Sequence, residues 1–308
     1  MYNSKLPYIS VIITAYKRDD FLLNAIKSVI NQTLDKKYYE IIVIKNFTDN
    51  TIDTYIKNYH IRGIVSKEES LFGKLVEALN IANGQIISFL EDDDLFSSDK
   101  LEIVYNKFKD NNNLCYYHND HITVDEKYQK IDSKIGKSPA FNLSSISVKK
   151  SILNLNNIKS QWALDHFMYL SALEANKDIR DDKQKLTYYM LHNSASNINT
   201  SNISEYMKFR NTVAARNIKT FMMFYLVFNS KKANNMIKQK LANFEIDYYI
   251  FGGNRKPMNA LNVLKKCDRP FFNRFEIFII YMLVRVYSNF RYIVIKKIAD
   301  SYGLIMSS

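Results

Sequence analysis

Cysteine, glycine and proline are scarce in this chain: two, seven and four residues respectively out of 308, with a single tryptophan. Two cysteines, Cys115 and Cys267, cannot build a disulfide framework or a cysteine-ligated metal cluster, and they point to a reducing compartment. So little glycine and proline excludes collagen-like and low-complexity material. No uncharged apolar stretch reaches the roughly 18 residues that a spanning helix needs. The longest run, IFIIYMLV at 277–284, stops at Arg285. The first ten residues, MYNSKLPYIS, lack the apolar core and small-residue cleavage site of a secretory signal, so a cytoplasmic location is expected. There is no G-x-G-x-x-G and no phosphate-loop spacing around Gly73. His118, His121 and His166 form no zinc pattern and read as structural or acceptor-side residues.

What is present is ordinary globular composition, with 47% hydrophobic and 24% charged residues. The length suits one large domain or two modest ones. Lys and Arg number 43 against 31 Asp and Glu, a formal +12. That excess is not spread evenly. Residues 1–205 hold 25 cationic and 26 acidic side chains, a net of −1. Residues 206–308 hold 18 and 5, a net of +13. A uniformly basic nucleic-acid binder would not be divided in this way, and no RRM, KH, zinc-finger or Gly-rich signal accompanies the charge. The expected organisation is a catalytic-type domain at 1–205 and a basic, aromatic-rich helical region at 206–308.

The first 110 residues alternate strand and helix signals. YISVIITA at 8–15 is a continuous β-branched run, as expected for a parallel strand covered on both faces. Phe21, Leu22, Ala25, Ile26, Val29 and Ile30 then recur at helical spacing. EIIVIKN, IRGIVS and QIISFLEDDD read as further strands, separated by capped helices. Such alternation implies βαβ units with right-handed crossovers and a mostly parallel sheet. Ligands of such sheets sit beyond the carboxyl ends of the strands. Further on, LCYYHNDHITVDEKYQKI resembles antiparallel hairpins, QWALDHFMYLSALEA a helix and KQKLTYYMLHN a late strand; helices are expected from about Ile203 onward.

The strongest chemical signal is Glu91-Asp92-Asp93-Asp94, directly after the apolar IISFL. Adjacent carboxylates repel one another unless a cation or strong hydrogen bonds neutralise them. Hard oxygen ligands of this kind suit Mg²⁺ or Mn²⁺ shared with substrate phosphates. The bland alternative is a solvated acidic loop leading into the next helix.

The set ISVIITAYKRDDFLLNAIKSVINQT, EIIVIKN and ANGQIISFLEDDDLFSSDKLE resembles the family-2, GT-A-type inverting glycosyltransferases. The resemblance is strongest over about residues 7–110 and extends more weakly to about residue 200. It implies an α/β, GT-A-like fold, with a mostly parallel sheet flanked by helices, followed here by the helical C-terminal region. It further implies a nucleotide-diphosphate sugar donor, with UDP favoured. Carried over by position, Thr14, Ala15 and Tyr16 would line the nucleotide pocket, Tyr16 packing on the base. Glu91, Asp92 and Asp93 stand at the D-x-D position, so that Asp93 and Asp94 would hold the metal and Glu91 would lie nearer the ribose. Asp165 falls where the family takes its general base; a helix-end aspartate held by the dipole is the alternative. His192 matches a late histidine near the diphosphate or metal. Trp162 is an acceptor platform or a core anchor.

Two positions depart from the family pattern. Where an acidic pair follows the second strand, this chain has Lys45-Asn46-Phe47, so Asn46 would meet the base with a donor as well as an acceptor. Where many relatives carry Arg before the D-x-D strand, Lys74 is the nearest cation, either on a phosphate or solvated. The loss of the acidic pair leaves open a catalytically silent membrane-associated scaffold, and the same carboxylates could serve a nucleotidyl- or phospho-transferase.

In the last third, Phe275, Phe278, Ile279, Met282, Val286 and Tyr287 recur at helical spacing among Arg274, Arg285, Arg291, Lys296 and Lys297. That profile fits an amphipathic helix on an anionic membrane surface, here the inner face of the cell membrane, with a lipid-linked or glycan acceptor. Packing on the catalytic domain or on a second copy, as a homo-oligomer, is the alternative.

Overall fold

The computed structural model describes residues 6–16, 19–132, 138–155, 158, 162–191, 200 and 202–253. The chain divides into two compact units, Met1–Leu191 and His192–Ser308.

In the first unit, β1 (Ile9–Ala15), β2 (Tyr39–Lys45), β3 (Arg62–Val65) and β4 (Ile86–Glu91) run parallel to one another, with α1 (Asp19–Ile30), α2 (Asn50–Asn58) and α3 (Leu71–Ile81) between them. A short β5 (Leu95–Phe96) and α4 (Lys100–Asp110) follow. β6 (Leu114–Val124), β7 (Ile146–Lys149), α5 (Leu164–Ala175) and β8 (Asp178–Met190) complete it. The eight strands lie in the order β3-β2-β1-β4-β7-β6-β8-β5. β7 runs antiparallel to both β4 and β6, β8 is parallel to β6, and β5 is antiparallel to β8.

All seven residues of β1 are buried, which is why its sequence is apolar without alternation. Ile9, Val11 and Ile13 pack with Leu22, Ala25, Ile26 and Val29 of α1, Ile52 and Ile56 of α2, and Leu101, Val104 and Phe108 of α4. The intervening strand positions face the other way. There α3 contacts β1 and β2, and Phe72 of α3 meets Phe167 of α5 at 5.3 Å between ring centroids. Helix starts are set by local caps: the Asp49 carboxylate accepts from Ile52 N at 2.8 Å, and the Ser70 hydroxyl from Gly73 N at 2.9 Å.

The region expected as hairpins is mostly one eleven-residue strand, β6, paired on both sides; only the Val124–Lys130 bridge has hairpin character. Tyr116, Tyr117, His118, Asn119 and Asp120 are all buried. Such polar residues look solvent-facing in the sequence, but Tyr116 donates to the Pro139 carbonyl, His118 pairs with Asp181, and the Asn119 amide donates to Thr187 Oγ1. Register shifts at Asp120 against β8 bend the strand locally.

At the amino ends of the strands, Glu40 gathers the layers. It accepts from Ser10 Oγ (2.6 Å), Asn83 N (2.6 Å) and Arg62 Nη1 (2.8 Å). Burial by itself would raise the Glu40 pKa, but these donors outweigh it and hold the carboxyl below its ordinary value. Gly84 donates its N–H to Ser10 Oγ, and a Cβ there would lie 2.4 Å from Ser10 N, so only glycine fits.

In the second unit, α6 (Ile203–Val227) and α7 (Lys231–Ile250) pair as a helical hairpin. Phe221, Phe224 and Phe228 pack in its interior, and Phe244 stacks edge-on against Phe221 at 5.2 Å. The Arg210 guanidinium lies 5.0 Å from the Phe251 ring and pairs with Asp247. No helix among the described residues is long and apolar enough to cross a membrane. The aromatic-basic stretch at 274–297 lies outside the described residues.

Candidate active site

The parallel register brings the sequence-selected residues to one edge. Thr14 pairs with Ile44 on one side and Glu91 on the other, while Ala15 pairs with Lys45, next to Asn46. Thr14 and Ala15 are buried, so they form the floor of the edge rather than a wall. Tyr16 is the first residue to emerge, 54% exposed, and its N–H donates to Asp92 Oδ2 at 3.0 Å. Lys74, buried on α3, sets its ammonium 4.6 Å from the centre of the Tyr16 ring. Burial lowers the Lys74 pKa, against the opposing pull of Asp92 and Glu77.

At the end of β2, Lys45 does not face outward. Its ammonium is buried, ion-paired with Asp53 at 2.8 Å and donated to the Phe47 carbonyl. Asn46 is half-buried, and its carboxamide oxygen has no hydrogen-bond partner among the described residues. The residue that departs from the family pattern in charge is thus neutralised internally. The one beside it holds a buried acceptor without a partner among the described residues.

The acidic cluster is built from both halves of the sheet. Glu91 N donates to Ser144 Oγ at 2.9 Å. Asp94 is only 1% exposed; its Oδ1 accepts from Met190 N at 2.9 Å, while Oδ2 is buried without a partner among the described residues. Burial pushes the Asp94 pKa up to about 8, helped by Asp93 and opposed by Ser144, Met190 N and Lys100. Glu91 is driven well above its ordinary value, first by burial and then by Asp93, Asp94, Asp165 and Asp92. Asp165, in the first turn of α5, is therefore close enough to Glu91 for their charges to interact. Asp165 Oδ1 accepts from His166 N (2.8 Å) and lies 3.1 Å from His166 Nδ1. The residue before the helix, Ala163, is left-handed with φ 60° and provides no side-chain cap.

Three neighbours escaped the sequence reading. Lys100 is fully buried beneath Phe96, its ammonium 3.9 Å from the ring centre, and it donates to the Ser144 carbonyl and to Thr187 Oγ1 (3.1 Å). Burial takes its pKa well below the lysine norm, with Asp94 as the compensating anion. Tyr189 has its phenol pKa raised by burial and then by Asp94, Glu91, Asp93 and Asp165, which places it among the carboxylates. It forms an aromatic triangle with His121 (5.5 Å) and Phe141 (5.4 Å). Tyr128, in a left-handed conformation with φ 58°, also feels Asp93, Asp94 and Asp92. The only hint in the sequence was the tyrosine pair just before the late-strand histidine. His118 is committed to Asp181 (2.8 Å) and the Phe141 carbonyl (3.0 Å). Trp162 is half-buried just ahead of α5. His192 lies outside the described residues.

No three acidic, histidine or cysteine side chains among the described residues make a ready-made metal cage. A hard divalent cation shared with a diphosphate needs less: one or two carboxylates, with the substrate supplying the rest. Asp94 Oδ2, without a partner among the described residues, and the burial and neighbouring carboxylates that raise Glu91 and Asp94 fit such an ion chemically.

An open α/β sheet whose carboxyl edge carries clustered carboxylates, faced by a helix-borne aspartate, defines a group-transfer enzyme of GT-A type. The chain belongs to glycosyl transferase family 2, whose model matches residues 10–169, just over half of it. It is 35% identical over 134 residues to an uncharacterized glycosyltransferase of Rickettsia conorii, a match covering 41% of this chain and about a fifth (21%) of that relative's length. It is 27% identical over 237 residues to the poly(ribitol-phosphate) beta-N-acetylglucosaminyltransferase TarP of Staphylococcus aureus, covering 74% of this chain and 64% of that one. With the UDP-Glc:alpha-D-GlcNAc-diphosphoundecaprenol beta-1,3-glucosyltransferase WfaP of Escherichia coli it shares 25% identity over 237 residues, covering 72% and 93%. Among solved structures, S. aureus TarS 1-349 in complex with UDP-GlcNAc superposes with a TM-score of 0.55 at 14% identity, covering 96% of this chain and 92% of that one, a likeness of fold.

Proposed function

We propose that this chain transfers a sugar from a nucleotide-diphosphate sugar, UDP-linked in preference to GDP-linked, to a lipid-linked or glycan acceptor. The reaction is a single displacement with inversion at the anomeric carbon. The observation that carries this reading is the convergence of Glu91–Asp94 and Asp165 at the carboxyl edge, where each raises the cost of ionising Glu91. Relatives named for UDP-Glc and for poly(ribitol-phosphate) or diphosphoundecaprenol acceptors support the donor and acceptor classes.

The residues divide the work. Tyr16 covers the base, its backbone pinned to Asp92. Asn46 offers its unpartnered Oδ1 to a base N–H, such as that of a uracil. Asp93 and Asp94 would hold Mg²⁺ or Mn²⁺, which stabilises the leaving nucleoside diphosphate as negative charge develops on it. Asp165 takes the proton of the acceptor hydroxyl as its oxygen bonds to the anomeric carbon. The bond from that carbon to the diphosphate oxygen breaks on the opposite face. His166 holds Asp165 in place. The basic C-terminal region keeps the enzyme at the anionic inner face of the cell membrane, where a lipid-linked acceptor resides.

Thermal-shift titration with UDP- and GDP-sugars, with and without Mn²⁺, tests the donor: a larger stabilisation by the UDP-sugar in the presence of the cation is expected. A flat response to both would reject the reading. NMR of the transferred sugar tests inversion, since a retained anomeric configuration would contradict it.

A further inference from the structure

We propose that the tip of the α6–α7 hairpin, where the last turns of α6 meet the first turn of α7, is a membrane-docking element that inserts into the interface of an anionic bilayer. This deepens the membrane-contact part of the proposed function and assigns it to particular residues.

Two features of the tip run against what stability would select. The end of α6 leaves large apolar side chains in the open: Met222 is 52% exposed, Tyr225 44% and Leu226 84%. Spaced three and four residues apart, they share one helical face. In the second unit, every large hydrophobic side chain recorded as exposed among the described residues belongs to this group. The interior of the hairpin takes Phe221, Phe224 and Phe228 instead, so the apolar triad is surplus to the core.

The start of α7 is the second feature. Ser230 caps it, accepting from Ala233 N, and Lys231 and Lys232 follow at once, both exposed. A helix amino terminus carries a partial positive charge and favours acidic side chains. Here the first turn has none. Two cations at the positive end of a helix cost stability locally and concentrate positive potential at the tip. Lys219 lies exposed on the Met222 and Leu226 face, three residues before Met222, and the Lys238 ammonium sits 5.5 Å from the Tyr225 ring. Between Tyr206 and Phe244 the sequence contains no Asp or Glu.

An exposed apolar patch with lysines close by, on a stretch of sequence that holds no Asp or Glu, complements a surface that is anionic outside and apolar beneath. Leu226 and Met222 would reach the acyl boundary, Tyr225 would sit at headgroup level, and the lysines would meet lipid phosphates. A soluble protein partner would need acidic residues set around its own apolar pocket. A bilayer with anionic lipids supplies both layers at once. Local rules broken without a compensating gain in packing are where function is to be sought.

The test is flotation of the full chain with vesicles of phosphatidylglycerol and phosphatidylcholine, against vesicles of phosphatidylcholine alone. The wild-type chain should float with the anionic vesicles and much less with the neutral ones. The double variant M222E/L226E, at exposed positions and checked for an unchanged circular dichroism spectrum, should lose at least tenfold in partitioning. K231Q/K232Q should lose roughly fivefold per lysine and show a flatter salt dependence. Donor turnover measured without vesicles is the separate readout of the transferase reading. If the wild type floats and M222E/L226E floats equally, the membrane contact lies elsewhere and this assignment is overturned. Absence of flotation by the wild type overturns it as well. So does a concentration-dependent dimer in sedimentation that M222E/L226E abolishes, which would make the patch a contact between copies.

Discussion

The two ends of the same sheet treat carboxylates in opposite ways. At the amino end, Glu40 is met by a hydroxyl, a backbone N–H and a guanidinium, and its pKa is held down. At the carboxyl end, four residues along the register, Glu91 is pushed up by burial and by the neighbouring aspartates, as is Asp94, just beyond β4, by burial and Asp93. One end is fully partnered and ties β1, β2, β3 and α3 together. The other keeps two buried oxygens, Asn46 Oδ1 and Asp94 Oδ2, without a partner among the described residues. A fold does not need the second arrangement. The proposed donor diphosphate, with a divalent cation, would.

The contrast can be broken from either side. At the carboxyl edge, Asp165→Asn should lower kcat for a hydroxyl acceptor by about 10²–10⁴-fold while leaving donor affinity nearly unchanged, as steady-state kinetics and calorimetry would show. At the amino edge, Glu40→Ala leaves the Ser10 hydroxyl and Asn83 N–H without their acceptor. It should cost about 2 kcal/mol, or about 4–8 °C in Tm, with little change in KM.

A pH series sharpens the same comparison. A carboxyl whose folded pKa lies near 8, against 3.8 as its ordinary value, binds more protons folded than unfolded between those limits. Its contribution is therefore fully favourable below about pH 4 and is lost as the pH rises through 8. Metal-free protein should show Tm falling across that window, and Asp94→Asn should flatten the fall. Glu40 acts in the opposite sense, losing its contribution as the pH drops through its depressed pKa. Lys100, with its lowered pKa, adds stability as the pH rises toward the lysine range, which is why the Asp94→Asn control is needed. The smallest effect is expected at Asn46, where replacement by Ala should weaken UDP binding by about five- to tenfold, a single hydrogen bond, measured by calorimetry.

Much of the first unit was legible in the sequence because parallel strands buried on both faces announce themselves as unbroken apolar runs. β1, β2 and β4 fall where the runs lie, and an acidic cluster directly after IISFL marks the carboxyl edge. Asp165 could be placed at a helix start from the LDHFMYLSALEA pattern. β6 was not legible as one strand, because His118, Asn119 and Asp120 are polar yet buried, and His118 and Asn119 find partners in Asp181 and Thr187, far away in the chain. Lys100 illustrates the same limit. In sequence it is a lysine in the first turn of an amphipathic helix. Its contacts with Ser144 and Thr187, 44 and 87 residues away, make it the buried counter-ion of Asp94. Tyr189 joins the carboxylates because β8 pairs with β5, directly after them, with the Met190 N–H reaching Asp94. The basic excess of the last third was plain from composition, whereas the exposed apolar face at the end of α6 depends on which side chains α6 and α7 bury against each other.

The most direct test of the central claim is release of UDP from a UDP-sugar by the purified chain, followed with and without Mn²⁺ and compared with Asp93→Asn. Sustained release that requires the cation and falls by about 10²–10³-fold in Asp93→Asn is the predicted result. Release of equal rate in Asp93→Asn, with its cation dependence intact, would contradict the assignment of the carboxyl edge as the sugar-transfer site.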